Sequence, residues 1–563
     1  MQARSFVIEV VLALGILCAA VSVPLCADAV TIPDPGLEAA IRETIGMPTG
    51  AILSADLSGL SSLDASNRGI VDLEGIQSSV DLTELVLSSN QIVDISALSR
   101  LTNLTTLYLE VNRILDVGPL ADLTMLKTLS LYSNEIEDVS PLSGLTELAT
   151  LQLHWNNISD VRALSGLTEL WDLSLGHNQI HDISPLAGLT NLTELYLAEN
   201  EIVDISPLSG LANLEKLWVD LNQIVDVSPL SELTNLTVLA LDNNRIADVG
   251  PLSALTNLTK LWLTANRLRD IHALSGLTSL TLLAARDNQI IDISPLSGLT
   301  NLTALYLASN QIVDISPLAD LAELATLSLY SNEIADVSPL AGLIELATLE
   351  LHWNDISDVS GLSGLTKLTD LSLGHNQIHD ISPLSDMTNL TELYMADNEI
   401  VDIRPLAGLT KLEKLWLDHN RIAEVTPISD LIDLTVLALD DNQIVDISPL
   451  SGLTNLSKLW LTANRIHDIH VLSGLANLTV LASGDNQIMD ISPLSGLTDL
   501  TALYLSANQI VDISPLVGNA GISHGDYVDL RHNLLATTPG SPSQLDIEAL
   551  QVRGVAVDYD PQS

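Results

Sequence analysis

The sequence predicts an α/β solenoid, parallel strands stacked one repeat on the next, and three observations carry that prediction. From Ser79 onward the chain follows a 22-residue period, LTxLTxLxLxxNxIxDISPLxG, in which an Asn recurs from Asn90 and Asn112 through Asn508, twenty times without a miss. Within each period a stretch such as Leu195-Tyr196-Leu197 alternates inward Leu with an outward residue, the mark of a short strand. The fourteen residues LSLGHNQIHDISPL stand identically at Leu173 to Leu186 and Leu371 to Leu384. That offset equals nine whole periods, so a nine-repeat block has been duplicated. A fixed period of this length replaces the several globular domains that 563 residues would otherwise suggest.

The first 29 residues read as a secretory signal peptide, with Arg4, an apolar run from Val10 to Leu25 and the small-residue pattern Ala27-Asp28-Ala29. The run is shorter than the ~20 residues of a membrane span. Cys18 and Cys26 both lie in it, each after a Leu where lipidation prefers a small residue. The mature chain is therefore expected to have no disulfide, thiolate metal site or cysteine nucleophile.

Residues 30–66 read as an N-terminal helical cap. IPDPGLEAAIRETIG starts at Asp34-Pro35, sets Leu37, Ala40, Ile41 and Ile45 on one face and stops at Gly46. Residues 67–518 hold about 21 repeats, counting an irregular copy at Asn67. Residues 519–563 hold a last irregular repeat at Asn533 and a C-terminal cap. There a helix is expected around Leu545 to Gln551, a stop at Gly554 and a strand at Val555 to Tyr559.

Each repeat position has a physical role. The Asn at position 12 is expected to bond buried backbone groups where the chain turns inward after the strand. In DISPL the Ser before Pro reads as the N-cap of a short 3₁₀ turn on the convex side, and fifteen of the twenty repeats have that Pro. Seven apolar positions per repeat form the core. One repeat cannot offset the ~1–2 kcal/mol lost per ordered residue, so neighbours must stack and the ends must be capped.

The repeat LTNLTELYLAENEIVDISPLSG, and the helix leading into LDASNRGIVDLEGI, resemble the leucine-rich repeat domain of the bacterial internalins. The resemblance covers nearly all of the chain after residue 29. It implies a curved, right-handed superhelix with a parallel concave sheet that binds partners, often host or cell-surface proteins. The array is longer than in the listerial members, and neither an immunoglobulin-like domain nor an LPxTG-type tail is expected after it. Surface attachment and the family's partners are therefore not carried over.

Function is expected on the concave face, where repeat positions 6, 8 and 10 point outward beside 11 and 13. Six of seven Trp and seven of nine Tyr fall there. The candidate ligand-binding residues are Tyr108, Trp155, Tyr196, Trp218, Trp262, Tyr306, Trp353, Tyr394, Trp416, Trp460 and Tyr504, with Lys216, Lys260, Lys414 and Lys458 each two residues before a Trp. At position 8 the order Tyr196, Trp218, Ala240, Trp262, Ala284, Tyr306 recurs as Tyr394, Trp416, Ala438, Trp460, Ala482, Tyr504. Alanines between large rings leave slots for a partner's side chains. The two stripes would lie about 43 Å apart at nine strand spacings.

A formal charge of −49 repels phosphate backbones and anionic membranes, which excludes nucleic acid as a partner. No membrane insertion of the mature chain is expected. The carboxylate column at position 16, the pairs His154/His177 and His352/His375, and GISHG at Gly521 to Gly525 were each weighed as metal or catalytic signals; turn chemistry, ordinary surface and a turn into the end cap read better. The sequence thus predicts a secreted, non-enzymatic protein-binding module without cofactor or metal. Carbohydrate recognition, with Asp220, Asp242, Asp418 and Asp440 bonding hydroxyls, and a structural envelope or matrix role are the alternatives.

Overall fold

The computed structural model describes residues 29–560. The expected signal peptide, with Cys18 and Cys26, lies outside the described residues except for its last position, Ala29. The chain divides into two compact units, the first ending at Leu170 and the second beginning at Trp171.

The first unit opens with the helix Pro35–Ile45, begun and ended as the sequence expects. Asp34 Oδ1 accepts from the amides of Gly36 (2.8 Å) and Leu37 (3.1 Å), and Gly46 takes the left-handed φ of 68° that ends the helix. Asp34 Oδ2 also accepts from Val71 and Asp72, so one carboxylate ties the helix to the first irregular repeat. Burial pushes this carboxyl up, but the four N–H donors outweigh it and hold it below its ordinary 3.8. Leu37, Ala40 and Ile41 are buried; Ile45, at the end of the face, is only half-buried. Parallel strands then follow at Ser62–Asp64, Glu84–Val86, Thr106–Tyr108, Thr128–Ser130 and Thr150–Gln152.

In the second unit the parallel strands run from Asp172–Ser174 to Ala556–Asp558. Within the regular array each residue stands opposite the one a full period away, as Lys216, Leu217 and Trp218 stand opposite Val238, Leu239 and Ala240. Between strands a single 3₁₀ turn such as Ser206–Gly210 brings the chain back. The repeat containing this turn buries Leu189, Leu192, Leu195, Leu197, Ile202, Ile205 and Leu208 at 0% exposure, the seven core positions of the pattern.

The Asn column bonds as its chemistry requires, and it bonds between repeats. Asn200 Oδ1 accepts from Ile180 N at 2.9 Å, while Nδ2 donates to Leu175 O at 3.0 Å in the preceding repeat and to Leu197 O at 3.1 Å in its own. Within each unit, the Asn of a regular repeat stitches it in this way to the repeat before it.

Two features correct or extend the sequence reading. Ser206 is the first residue of its 3₁₀ turn and not the cap. The N-cap residue is Ile205, and the capping side chain is that of Asp204, two residues before Ser206, whose Oδ1 accepts from Ser206 N at 2.8 Å and whose Oδ2 accepts from the Ser206 hydroxyl at 3.0 Å. The first N–H of a helical turn has no partner within the turn, so the Asp carboxylate claims it, and the same bond forms where no Pro follows, as from Ser96 N to Asp94 Oδ1 at 2.8 Å. The position-16 aspartates are therefore engaged in turn capping, as at Asp94, Asp226, Asp446 and Asp512. Where the same pair of bonds forms at Asp226 and Asp446, it holds the carboxyl below its ordinary value. The second feature is position 11, which is left-handed in every regular repeat with φ between 49° and 59°, although no Gly stands there.

At the other end a short helix, Ser514–Gly518, leads to the strand Tyr527–Asp529 and the helix Pro542–Val552. The last helix starts three residues before the expected Leu545 because Pro542 occupies its first position. Gly554 follows with φ 87°, then the strand Ala556–Asp558. No helix among the described residues is long and apolar enough to cross a membrane.

Candidate functional site

Strand pairing in register places equivalent positions of successive repeats in rows across the outward face of the sheet. Position 8 is one such row. Its rings are half-exposed at Tyr196, Trp218, Trp262, Tyr306, Tyr394, Trp416 and Trp460, and more open at Tyr504, while the Leu, Val or Met on either side of each is buried. Trp353, at the left-handed position 11, is 55% exposed. Tyr108 and Trp155 belong to the first unit, where they take the same two positions.

The row is built by fit as well as by register. Gly374 at position 10 lies beneath the ring of Tyr394, and a Cβ there would come within 2.2 Å of Cε1; Gly176 seats Tyr196 in the same way. Both glycines belong to the duplicated LSLGHNQIHDISPL. Each seated ring then meets a Trp edge-on, Tyr196 with Trp218 at 6.2 Å and Tyr394 with Trp416 at 6.2 Å. His352 stacks on Tyr330 at 4.4 Å and accepts or donates at Nδ1 to Ser372 Oγ, and His375 stacks on Trp353 at 3.7 Å. These imidazoles act as flat ring surface, and burial pushes His352 below its ordinary pKa.

The alanines open the expected slots. A depression of about 200 Å³ is bounded by Trp218, Ala240 and Trp262 with Asp220 and Asp242, and a larger one of about 450 Å³ by Trp262, Ala284, Arg286 and Tyr306 with the same two acids. Burial pushes Asp220 up, and it pushes Asp242 up to about 6 even though Thr264 N donates to its Oδ1 at 2.5 Å. The copies behave alike, with Asp440 also pushed up to about 6 by burial. The slots therefore pair aromatic walls with carboxyls that take up protons readily.

Arg286 is the residue that sequence reasoning missed. It stands at position 10, its guanidinium carbon 4.5 Å from the centre of the Tyr306 ring, and its buried Nε has no hydrogen-bond partner. Positions 6 and 13 supplied the expected cations, but the signal lay in comparing the two blocks, where Gly484 replaces Arg286. The expected lysines divide. Lys216 Nζ donates to Glu194 at 2.7 Å and Lys414 Nζ to Glu392 at 2.6 Å, which offsets their charge. Lys260 and Lys458 are exposed and form no ion pair among the described residues. GISHG lies between the short helix Ser514–Gly518 and the strand Tyr527–Asp529, the reverse of a strand-to-helix nucleophile turn.

A model of tandem leucine-rich repeats in two copies matches residues 80–122, 168–202, 190–232, 234–276, 278–320, 344–386, 388–433 and 432–477, more than half of the chain. The chain belongs to the leucine-rich repeat family. A second leucine-rich repeat model matches residues 124–180, and no curated protein matches in sequence. Among solved structures, the functional domain of InlJ from Listeria monocytogenes is 25% identical, with TM-score 0.54 over 68% of this chain and 80% of that one. Its cysteine ladder has no counterpart in this leucine-rich repeat array, since both cysteines of the chain precede residue 29. The ectodomain of the Arabidopsis thaliana receptor kinase GASSHO1/SCHENGEN3, in complex with CASPARIAN STRIP INTEGRITY FACTOR 2, is 23% identical with TM-score 0.72, covering 89% of this chain and 67% of that one. The Arabidopsis HAESA ectodomain, in complex with an IDA peptide hormone, is 22% identical with TM-score 0.67, covering 89% and 92%. At those identities the plant ectodomains share the fold.

Proposed function

We propose that this leucine-rich repeat protein is an exported, internalin-like bacterial binding module for adhesion or recognition, which takes another extracellular or cell-surface protein on the outward face of its sheet. The observation that carries this reading is the pair of adjoining slots between Trp218, Trp262 and Tyr306, floored by Ala240 and Ala284. Indole and phenol rings around small residues are the usual anchors of protein interfaces, because they bury much area with little side-chain entropy lost. Arg286, with an unsatisfied Nε, and the unpaired Lys260 add directional charge for a carboxylate or carbonyl of the partner. The HAESA ectodomain, which shares the fold, is in complex with a peptide hormone ligand, which supports a peptide or protein as occupant.

The second reading is a glycan. It is favoured by Asp220 and Asp242 lining the slots beside the rings, since sugars stack on indoles and bond their hydroxyls to carboxylates. Binding of residues 30–563 to cell-surface proteins and to glycans, beside a variant with Trp218, Trp262, Trp416 and Trp460 all changed to Ala, tests both. A partner lost by a variant that melts like the parent supports the slot face, and the class of that partner decides between the readings. Rising ionic strength should weaken a charged protein interface and leave sugar stacking nearly unchanged. Equal binding by parent and variant would refute the slot face and bring forward a structural envelope or matrix role.

A further inference from the structure

Aligned residue against residue, the two nine-repeat blocks differ at several positions, and one set of differences falls on a row of neighbours. In the first block the left-handed positions of three successive repeats are Glu199, Leu221 and Asn243; in the second they are Asp397, His419 and Asp441. The adjoining position-10 acids are kept, Asp220 as Asp418 and Asp242 as Asp440. The exchange brings one carboxylate oxygen each of Asp397 and Asp418 and one imidazole nitrogen of His419 within 4.8 Å of one another. Among the described residues no other group of His, Cys, Asp or Glu is so placed. Leu221 denies the first block the same set.

The surroundings suit a cation. Asp397 and Asp418 are half-buried and His419 is exposed, so the site is partly shielded yet reachable from solvent. Two flanking pairs hold the imidazoles: Asp441 stands 3.2 Å from His419 Nδ1, and Asp397 stands 3.1 Å from His375 Nδ1. A carboxylate against one ring nitrogen fixes the ring and raises the basicity of the other, as in metal sites generally. Ligands of zinc lie ~2.0–2.2 Å from the ion, so the three atoms need to close by only about 1 Å, a movement within reach of rotation about the side-chain bonds of the exposed His419 and the half-buried Asp397.

We propose that Asp397, Asp418 and His419 bind one divalent transition-metal cation of the zinc class, a site that belongs to the second block alone. One imidazole with two carboxylates favours zinc over calcium or magnesium, which take all-oxygen shells of higher coordination. Three ligands from the chain leave a coordination position facing outward, open to water or to a donor group of a docked partner. The two blocks would then present the same rings with different polar chemistry, Arg286 in the first and a metal ion in the second.

The test is calorimetric titration of the intact protein with zinc chloride, repeated with calcium chloride. His419→Leu restores the residue that the first block already carries at Leu221, so the array tolerates it; a thermal melt confirms the fold. The wild type is expected to bind one zinc that His419→Leu loses or weakens at least about tenfold, with calcium far weaker at that site. The reciprocal variant, Glu199→Asp with Leu221→His, is expected to gain one further zinc. No saturable zinc binding by the wild type, or binding unchanged in His419→Leu, would overturn the proposal. Calcium binding as tightly as zinc would overturn the role of the imidazole, and a reciprocal variant that gains nothing would overturn the sufficiency of these three positions.

Discussion

Changing Asn244 to Ala removes one rung of the ladder that joins repeats, and the cost can be worked from its bonds. The side chain is 8% exposed. Oδ1 accepts from Ile224 N at 2.9 Å, and Nδ2 donates to Val219 O at 3.0 Å, Leu241 O at 3.1 Å and Asp242 O at 3.2 Å. Truncation orphans one buried N–H, at about 1–3 kcal/mol, and takes one donor each from Val219 O and Leu241 O, which keep Asn222 Nδ2 and Asn266 Nδ2, at about 0.5–1.5 kcal/mol per bond lost. Water entering the vacated space recovers part of this, which leaves an expected loss of about 2–4 kcal/mol. In a linear array the loss falls on a single interface between neighbours, here the one joining Val219 and Ile224 to Leu241 and Asn244. Urea denaturation should register the destabilisation, and hydrogen exchange should show it concentrated at the strands Lys216–Trp218 and Val238–Ala240. Asn244→Asp keeps the acceptor but turns a second oxygen toward two carbonyls, so it should cost at least as much at neutral pH and less in acid. A loss below about 1 kcal/mol for Ala, or exchange spread evenly over the unit, would refute the idea that the Asn column stitches one repeat to the next.

Two further outcomes follow from single positions. Val111 is β-branched yet left-handed at φ 57°, a conformation Asn tolerates better, so Val111→Asn should stabilise the first unit by about 0.5–1 kcal/mol in thermal or urea unfolding; a destabilised variant would contradict the backbone assignment. Asp242 and Asp440 have folded values near 6 against an ordinary 3.8, so the native state binds their protons more tightly than the unfolded chain does. Their stabilising contribution is full below about 3.8 and is lost as pH rises through 6. The difference in melting temperature between the wild type and Asp242→Asn with Asp440→Asn should therefore change across that window, the variant gaining on the wild type toward neutral pH. Parallel pH profiles would show that burial does not set these values.

Much of this was legible because the physics repeats. Leu195, Leu197 and Ile202 announce a core by recurring, and Asn200 announces a buried turn because no solvent-facing role demands one residue type twenty times over. Ser206 was misread as a cap because Ser and Asp are both good capping residues, and spacing alone does not tell which side chain reaches the free amide. The left-handed position stayed hidden because Val111, Trp155 and Leu221 carry no Gly signal; the ladder bonds and strand pairing around them impose the conformation. At the candidate site the rings and alanines were visible in one strand's alternation. The Arg286 contact with Tyr306 and the convergence of Asp397, Asp418 and His419 were not, since each joins residues of adjacent strands and becomes visible only once register is known.

That register has a consequence for how such a chain can change in length. Within the regular array of each unit a strand residue pairs with the one a full period away, so inserting or deleting one whole period there returns each hydrogen bond, each Asn rung and each outward row to an equivalent partner. An odd number of residues inserted within a strand would turn Leu195 or its equivalents to the outside and strand an Asn among the wrong carbonyls. Growth and shrinkage are thus quantised: whole repeats pass as nearly silent edits, whereas a one-residue slip is as damaging as a large lesion. A lineage of such proteins is free to lengthen its row of slots by copying, then to vary single letters such as position 10 or 11, without renegotiating the fold each time.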